Sequence, residues 1–178
     1  MQESGLFIRL NFGIPKAFGQ LFGCFAWLTP TALLGMNDAY FMLQALAEAE
    51  KALEADEIPI GAVVVFEKQI IGRGYNQTEQ LRDVTAHAEM LALTAAANHL
   101  GNKYLADCTL YVTIEPCVMC AGASYWAQLK AVVFGADEPK VGFRRHGQLL
   151  HPRTQLRGGV QAAECAALMQ EFFSLKRK

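Results

Sequence analysis

Residues 108–135 read CTLYVTIEPCVMCAGASYWAQLKAVVFG, and the stretch has three parts of different character. CTLYVTI reads as a strand, PCVMCAGASYWAQ as a helix opened at Pro116, and AVVFG as a second strand. A strand, a helix and a strand joined by short connections form a crossover unit, which predicts a largely parallel sheet covered by helices. The fold class that follows is α/β.

Outward from this unit the pattern holds. Thr85–Leu100 (TAHAEMLALTAAANHL) is rich in helix formers, with Thr85 placed to cap it and Gly101 to stop it. IPIGAVVVFE and QIIGRGYN are two β-branched runs around a polar turn near Glu67 and Lys68, the pattern of a hairpin. NDAYFMLQALAEAEKALEA reads as the first helix, with Asn37 as its N-cap. Residues 136–153 are basic and irregular, and the chain closes with a final helix in GGVQAAECAALMQEFFSLKRK.

A length of 178 residues suits one core, and 52% hydrophobic against 19% charged residues supports a packed interior. The net charge of −1 gives no general attraction to nucleic acid, so an RNA partner would need a local basic surface. Residues 1–35 differ from the rest: Phe, Leu and Gly dominate, and Gly13, Pro15, Gly19, Gly23 and Pro30 break every candidate run. The apolar stretch 17–28 is too short to span a bilayer. A secretion signal with Arg9 and Lys16 as its charged part is the minor reading; the main one makes 1–35 an extension or disordered arm and 36–178 the domain, with Met36 as the natural start. The five cysteines (24, 108, 117, 120 and 165) are odd in number and scattered, which argues against a disulfide framework and for a reducing, cytoplasmic setting.

Within that setting Cys117 and Cys120 stand out. Three residues apart at a helix start, they can share one ion, and the positive end of the helix favours their thiolates. His87 and Glu89 are two apart, a spacing that separates side chains within a helix but lets them converge over its open end. Helices that follow neighbouring parallel strands begin at the same sheet edge, so the two helix starts can address one metal. Three protein ligands (His87, Cys117, Cys120) leave zinc a fourth position, the mark of a catalytic site, and Glu89 is placed to carry protons. H-x-E followed by P-C-x-x-C is the general signature of zinc nucleobase deaminases. The competing reading is a structural zinc knuckle completed by two of Cys108, His99, His146 and His151.

Over residues 36–178 the chain also resembles the bacterial tRNA-specific adenosine deaminases, of the cytidine deaminase-like superfamily. The resemblance is carried by IPIGAVVV, GRGYNQ, TAHAEMLAL, LYVTIEPCVMCAGA, VVFGADEPKVG and ECAALMQEFFSLKRK. It implies a three-layer α/β/α fold with a mixed, largely parallel sheet, a homodimer with one Zn2+ per subunit, and no membrane partner. It implies as substrate the wobble adenosine of an arginine tRNA anticodon stem-loop. Zinc-activated hydroxide would attack C6, Glu89 would shuttle the protons, and inosine would result. Asn76 matches a nucleoside-contacting position, and Ile58, Pro59 and the backbone of Ala88 would line the base pocket. Lys140, Arg144, Arg145, Arg153 and Arg157, with the terminal Lys176, Arg177 and Lys178, supply basic charge for the RNA, and Phe172 and Phe173 supply stacking surface. Two features depart from the family pattern: Val84 stands where Pro is frequent, and GFRRHGQLLHPRTQL replaces a longer segment of smaller residues. The alternatives are a small-molecule deaminase of guanine, cytosine or a nucleotide, and a non-catalytic zinc-binding RNA module.

Overall fold

Asn37 does what its position predicts: its side chain accepts a hydrogen bond from the Tyr40 N–H at 3.0 Å and opens α1 (Asp38–Glu54). The computed structural model describes residues 37–177, so the readings of residues 1–36 and of Lys178 lie outside the described residues. Helix α1 buries Phe41, Met42, Ala45, Ala49 and Ala52, a stripe at three- and four-residue spacing. Strands β1 (Gly61–Phe66) and β2 (Gln69–Tyr75) form the expected hairpin, with Glu67 and Lys68 both in the left-handed conformation that a two-residue turn requires. A single helical turn, α2 (Thr78–Leu81), leads to α3 (Ala88–Leu100), which ends on Gly101 at a φ of 60°. Then come β3 (Thr109–Ile114), α4 (Val118–Ala127), β4 (Ala131–Ala136), a 3-10 turn at Phe143–His146, β5 (Gln155–Arg157) and α5 (Ala162–Lys176).

Two helix starts differ from expectation by a residue or more. Thr85 does not cap α3; its N–H and hydroxyl both donate to Asp83 Oδ1, closing a separate turn, and His87 occupies the cap. Pro116 precedes α4, whose cap is Cys117.

The sheet has the order β2-β1-β3-β4-β5. β1 pairs antiparallel with both β2 and β3, while β3, β4 and β5 run parallel. Strands β2 and β3 therefore point the same way without being neighbours, because β1 lies between them. Their helices α3 and α4 still begin at one edge of the sheet, and β1 enters at that edge through Ile58–Ile60. Side chains alternate across the sheet as pleating requires. Ala62, Val64, Leu110, Val112, Val132 and Phe134 pack with α3 and α4. Val63, Val65, Tyr111 and Val133 pack with α1 and with Cys165 of α5. The result is three layers, α/β/α.

Helix α3 lies directly on β2. A Cβ on Gly72 would come within 2.3 Å of the Ala92 carbonyl oxygen, and one on Gly74 within 2.4 Å of that of Ala88. These glycines set how far the start of α3 descends onto the sheet. Among the described residues no helix is long and apolar enough to cross a membrane.

Candidate active site

His87 and Cys117 hold equivalent places. Each is the N-cap of its helix, each has extended backbone (ψ 153° and 173°), and neither side chain makes a capping hydrogen bond. Their side chains turn instead to a common point, where Cys120, in the first turn of α4, joins them. The donor atoms of His87, Cys117 and Cys120 all lie within 4.8 Å of one another. His87 Nδ1 is 3.7 Å from Cys117 Sγ and 3.6 Å from Cys120 Sγ. A tetrahedral zinc with Zn–N of about 2.0 Å and Zn–S of about 2.3 Å needs N···S separations of about 3.5 Å. The geometry and the soft donor set both fit zinc. None of Cys108, His99, His146 and His151 belongs to the cluster, so the four-ligand knuckle is not formed among the described residues.

The cluster is already polarised. The hydrogen bond from Cys120 and the neighbouring His87 pull the Cys117 thiol down to about 4, whereas that same hydrogen bond, burial and the Glu89 carboxylate hold the Cys120 thiol up. The hydrogen bond to Cys117 raises His87. Glu89, 4% exposed in the first turn of α3, is raised chiefly by burial, an environment that lets a carboxyl group exchange protons nearer neutrality.

The cluster opens into a cleft of about 480 Å³. Ile58, Ile60 and Ile114 form its apolar wall, Glu138–Val141 one side of its mouth, and Met169 and Phe173 of α5, with Arg177 at the C-cap of that helix, the other. The 138–141 side is braced from below. Glu115, buried beside Cys117, accepts from the Arg144 N–H at 3.0 Å, from Arg144 Nη2 at 2.9 Å and from the Glu138 N–H at 3.3 Å. Burial alone would raise its carboxyl, but Arg144 and these donors hold it below the usual range. Arg144 also meets Asp137 at 2.6 Å and lies over the Phe134 ring, and Arg145 Nη1 donates to the carbonyls of Pro139 and Lys140.

The structure therefore sorts the residues singled out from the sequence. His87, Glu89, Ile58, Phe173 and Arg177 share the cleft, and Cys117 and Cys120 meet at its floor. Ala88 and Pro59 are buried behind it. Asn76 is also buried; its N–H donates to the Ile60 carbonyl and its side chain to Glu57 and Thr78. Phe172 faces inward with Lys176 over its ring, away from the cleft lining. Arg144 is engaged within the protein. Arg153 lies in the turn before β5, at the opposite sheet edge, beside the Thr154 hydroxyl bonded to the Leu129 carbonyl. Arg157 pairs with Asp38, which also accepts from the Tyr111 hydroxyl. Sequence reasoning passed over Glu57 and Glu115. The position of Glu115 immediately before Pro116-Cys117 was the available signal for one of them; for Glu57 there was none.

Comparison with known proteins agrees with this geometry. Residues 36–136 match the family model of the cytidine and deoxycytidylate deaminase zinc-binding region. The chain belongs to that family. Within the family it is 46% identical over 148 residues to the tRNA-specific adenosine deaminase of Streptococcus pyogenes (serotype M18), covering 80% of this chain and 93% of that one. A solved structure from work on A-to-I editing by tRNA:A34 deaminases at the wobble position of transfer RNA matches with a TM-score of 0.69 and 40% identity, covering 72% of this chain and 98% of that one. The guanine deaminase of Bacillus subtilis matches less fully, at a TM-score of 0.56 and 40% identity over 63% of this chain and 71% of that one. Family membership and donor geometry agree on zinc as the cofactor, and the family's deaminases are zinc-dependent hydrolases.

Proposed function

We propose that this chain is a tRNA adenosine deaminase that converts the wobble adenosine of an arginine tRNA anticodon to inosine. One observation carries the chemistry: a three-donor His/Cys/Cys cluster with a buried glutamate at the same helix start, all at the floor of an open cleft. Zinc bound there supplies Lewis-acid activation of water at neutral pH. In the hydrolysis, the oxygen of water bonds to C6, the C6–N6 bond breaks, and ammonia leaves. Glu89 takes a proton from the water, delivers it to N1 and then transfers a proton to the departing amine. Ile58 packs against the base, Asn76 contacts the nucleoside, and Pro59 and Ala88 back the pocket.

The choice of RNA is supported by the near-complete coverage of a tRNA-specific relative and by the mouth of the cleft. Phe173 and Arg177 stand there exposed, an aromatic face and a cation suited to a loop base and its phosphate. Arg145 and Lys140 add charge on the facing side. Arg144 serves as a brace for the 138–141 segment, and Arg153 lies outside the RNA path. The enzyme works as a cytoplasmic homodimer with one zinc per subunit, its domain starting near Met36.

Guanine deamination is the second reading, favoured by the match to the Bacillus subtilis enzyme. Incubation with an adenosine-containing arginine anticodon stem-loop, free adenosine, cytidine and guanine decides between them, with ammonia and inosine measured. Inosine in the stem-loop is expected. Turnover of guanine without turnover of the stem-loop would overturn the assignment.

A further inference from the structure

Glu57, at 1% exposed, is more deeply buried than the other buried carboxylates, and apart from Glu89 at the metal cluster it differs from them in kind. Glu48 faces Lys51 and Arg73, and Glu115 faces Arg144. Glu57 has no cationic partner among the described residues. Its oxygens are met by neutral donors: the Gln80 N–H at 2.7 Å on Oε1, and Asn76 Nδ2 at 3.0 Å and the Thr78 hydroxyl at 3.3 Å on Oε2. A buried carboxylate without a counter-ion is a costly way to fill space, and an apolar side chain would serve packing better. The use of Glu57 lies in what it holds.

What it holds is Asn76. The backbone of that residue is tied to the cleft on both sides, by its own N–H to the Ile60 carbonyl at 2.9 Å and by the Gln77 N–H to the Ala86 carbonyl at 3.0 Å, next to His87. A carboxamide has two unlike edges, and only its NH2 edge can face carboxylate oxygens. Glu57 therefore determines which way the Asn76 amide lies. Nδ2 is turned to Glu57 and to Thr78 Oγ1 at 3.2 Å, and among the described residues nothing donates to Oδ1.

We propose that Glu57 is a positioning residue: it holds the Asn76 carboxamide with Nδ2 inward, leaving Oδ1 to meet the bound nucleoside. This rests on Asn76 as a substrate contact in the proposed function. Glu57→Gln keeps the size of the side chain but brings an NH2 group of its own against Nδ2, so the amide loses its fixed orientation.

The test is a double-mutant cycle of wild type, Glu57→Gln, Asn76→Ala and the double variant, each with zinc content and Tm recorded. Each single substitution is expected to lower kcat/KM on the stem-loop by about tenfold or more with zinc retained. The double variant is expected to lie within about twofold of Asn76→Ala, because Glu57 has nothing left to position. Multiplying losses would overturn the proposal, since a merely structural carboxylate acts whether or not Asn76 is present. Should Glu57→Gln fail to fold, Glu57→Asp carries the same cycle with the same two outcomes. If the wild type turns over guanine and not the stem-loop, the substrate assignment falls, and the coupling read on guanine still decides the role of Glu57.

Discussion

The floor of the cleft and its mouth are built by different means. On the floor, His87, Glu89, Cys117 and Cys120 are placed by backbone: two helix starts seated on the ends of β2 and β3, with Glu89 and Cys120 buried and His87 and Cys117 half-buried against the cleft. At the mouth, the 138–141 segment is placed by side chains, chiefly an Arg144 that is itself 45% exposed and holds the buried Glu115 and exposed Asp137 together. The floor has almost no freedom to adjust without losing its chemistry. The mouth can be reshaped one contact at a time. The reacting centre and the selecting surface are therefore separable by mutation.

The sharpest break falls on the floor. Glu89→Ala should lower deamination by roughly 10²–10⁴-fold, the range of general acid–base catalysis, while atomic absorption still finds one zinc per chain. Loss of zinc together with activity would make Glu89 part of the metal-holding set and undo the division of roles. Gly74→Val tests the backbone placement itself. The added side chain meets the Ala88 carbonyl, so overpacking should cost about 1–3 kcal/mol in thermal unfolding and displace the start of α3, weakening zinc retention against a chelator. Full zinc occupancy at unchanged Tm would show that close approach to β2 does not position His87.

At the mouth the effects should be smaller and of another kind. Arg144→Ala should leave zinc content intact and lower turnover of the stem-loop by about tenfold through misplacement of the 138–141 segment. Its stability cost should stay near 1 kcal/mol, because Arg144 is largely solvated and Glu115 keeps two backbone donors. Arg153→Ala, at the opposite sheet edge, should change neither quantity; a comparable loss there would extend the RNA surface around the molecule.

The smallest effect lies far from both regions. Burial tends to raise the Asp38 carboxyl, but hydrogen bonds from Arg157 and Tyr111 outweigh it and hold the group below the usual carboxylate range. A depressed folded-state value stabilises the protein fully above the ordinary aspartate range, and this contribution is lost as pH falls through the depressed value. Arg157→Leu should flatten that acid limb in Tm-versus-pH curves while leaving activity at neutral pH unchanged.

How much of this could be read from the chain depends on how local each determinant is. Asn37 was legible because a cap and its target are three residues apart. The α/β class and the meeting of His87 with Cys117 and Cys120 were legible because motif spacing and strand–helix order are local properties. Thr85 misled because Asp83, two residues earlier, captures both of its donors and starts a turn of its own. The insertion of β1 between β2 and β3 was invisible: strand neighbours are chosen by register, which no single segment encodes. The bracing role of Arg144 was invisible because its charge is plain in the sequence and its partner Glu115, 29 residues away, is not.

The inserted β1 strand also makes the frame of the site independent of its metal. His87 and Cys117 sit beside β2 and β3, strands that pair with β1 on its two edges, so the ligands come together in a frame of backbone pairing that the polypeptide makes by itself. Those pairings come with apolar layers on both faces of the sheet, which the chain can assemble from its own side chains. In small zinc domains the ion nucleates the structure. Here the sheet carries apolar layers of its own, so a chelator is expected to empty the site and leave the far-UV circular dichroism of the domain unchanged.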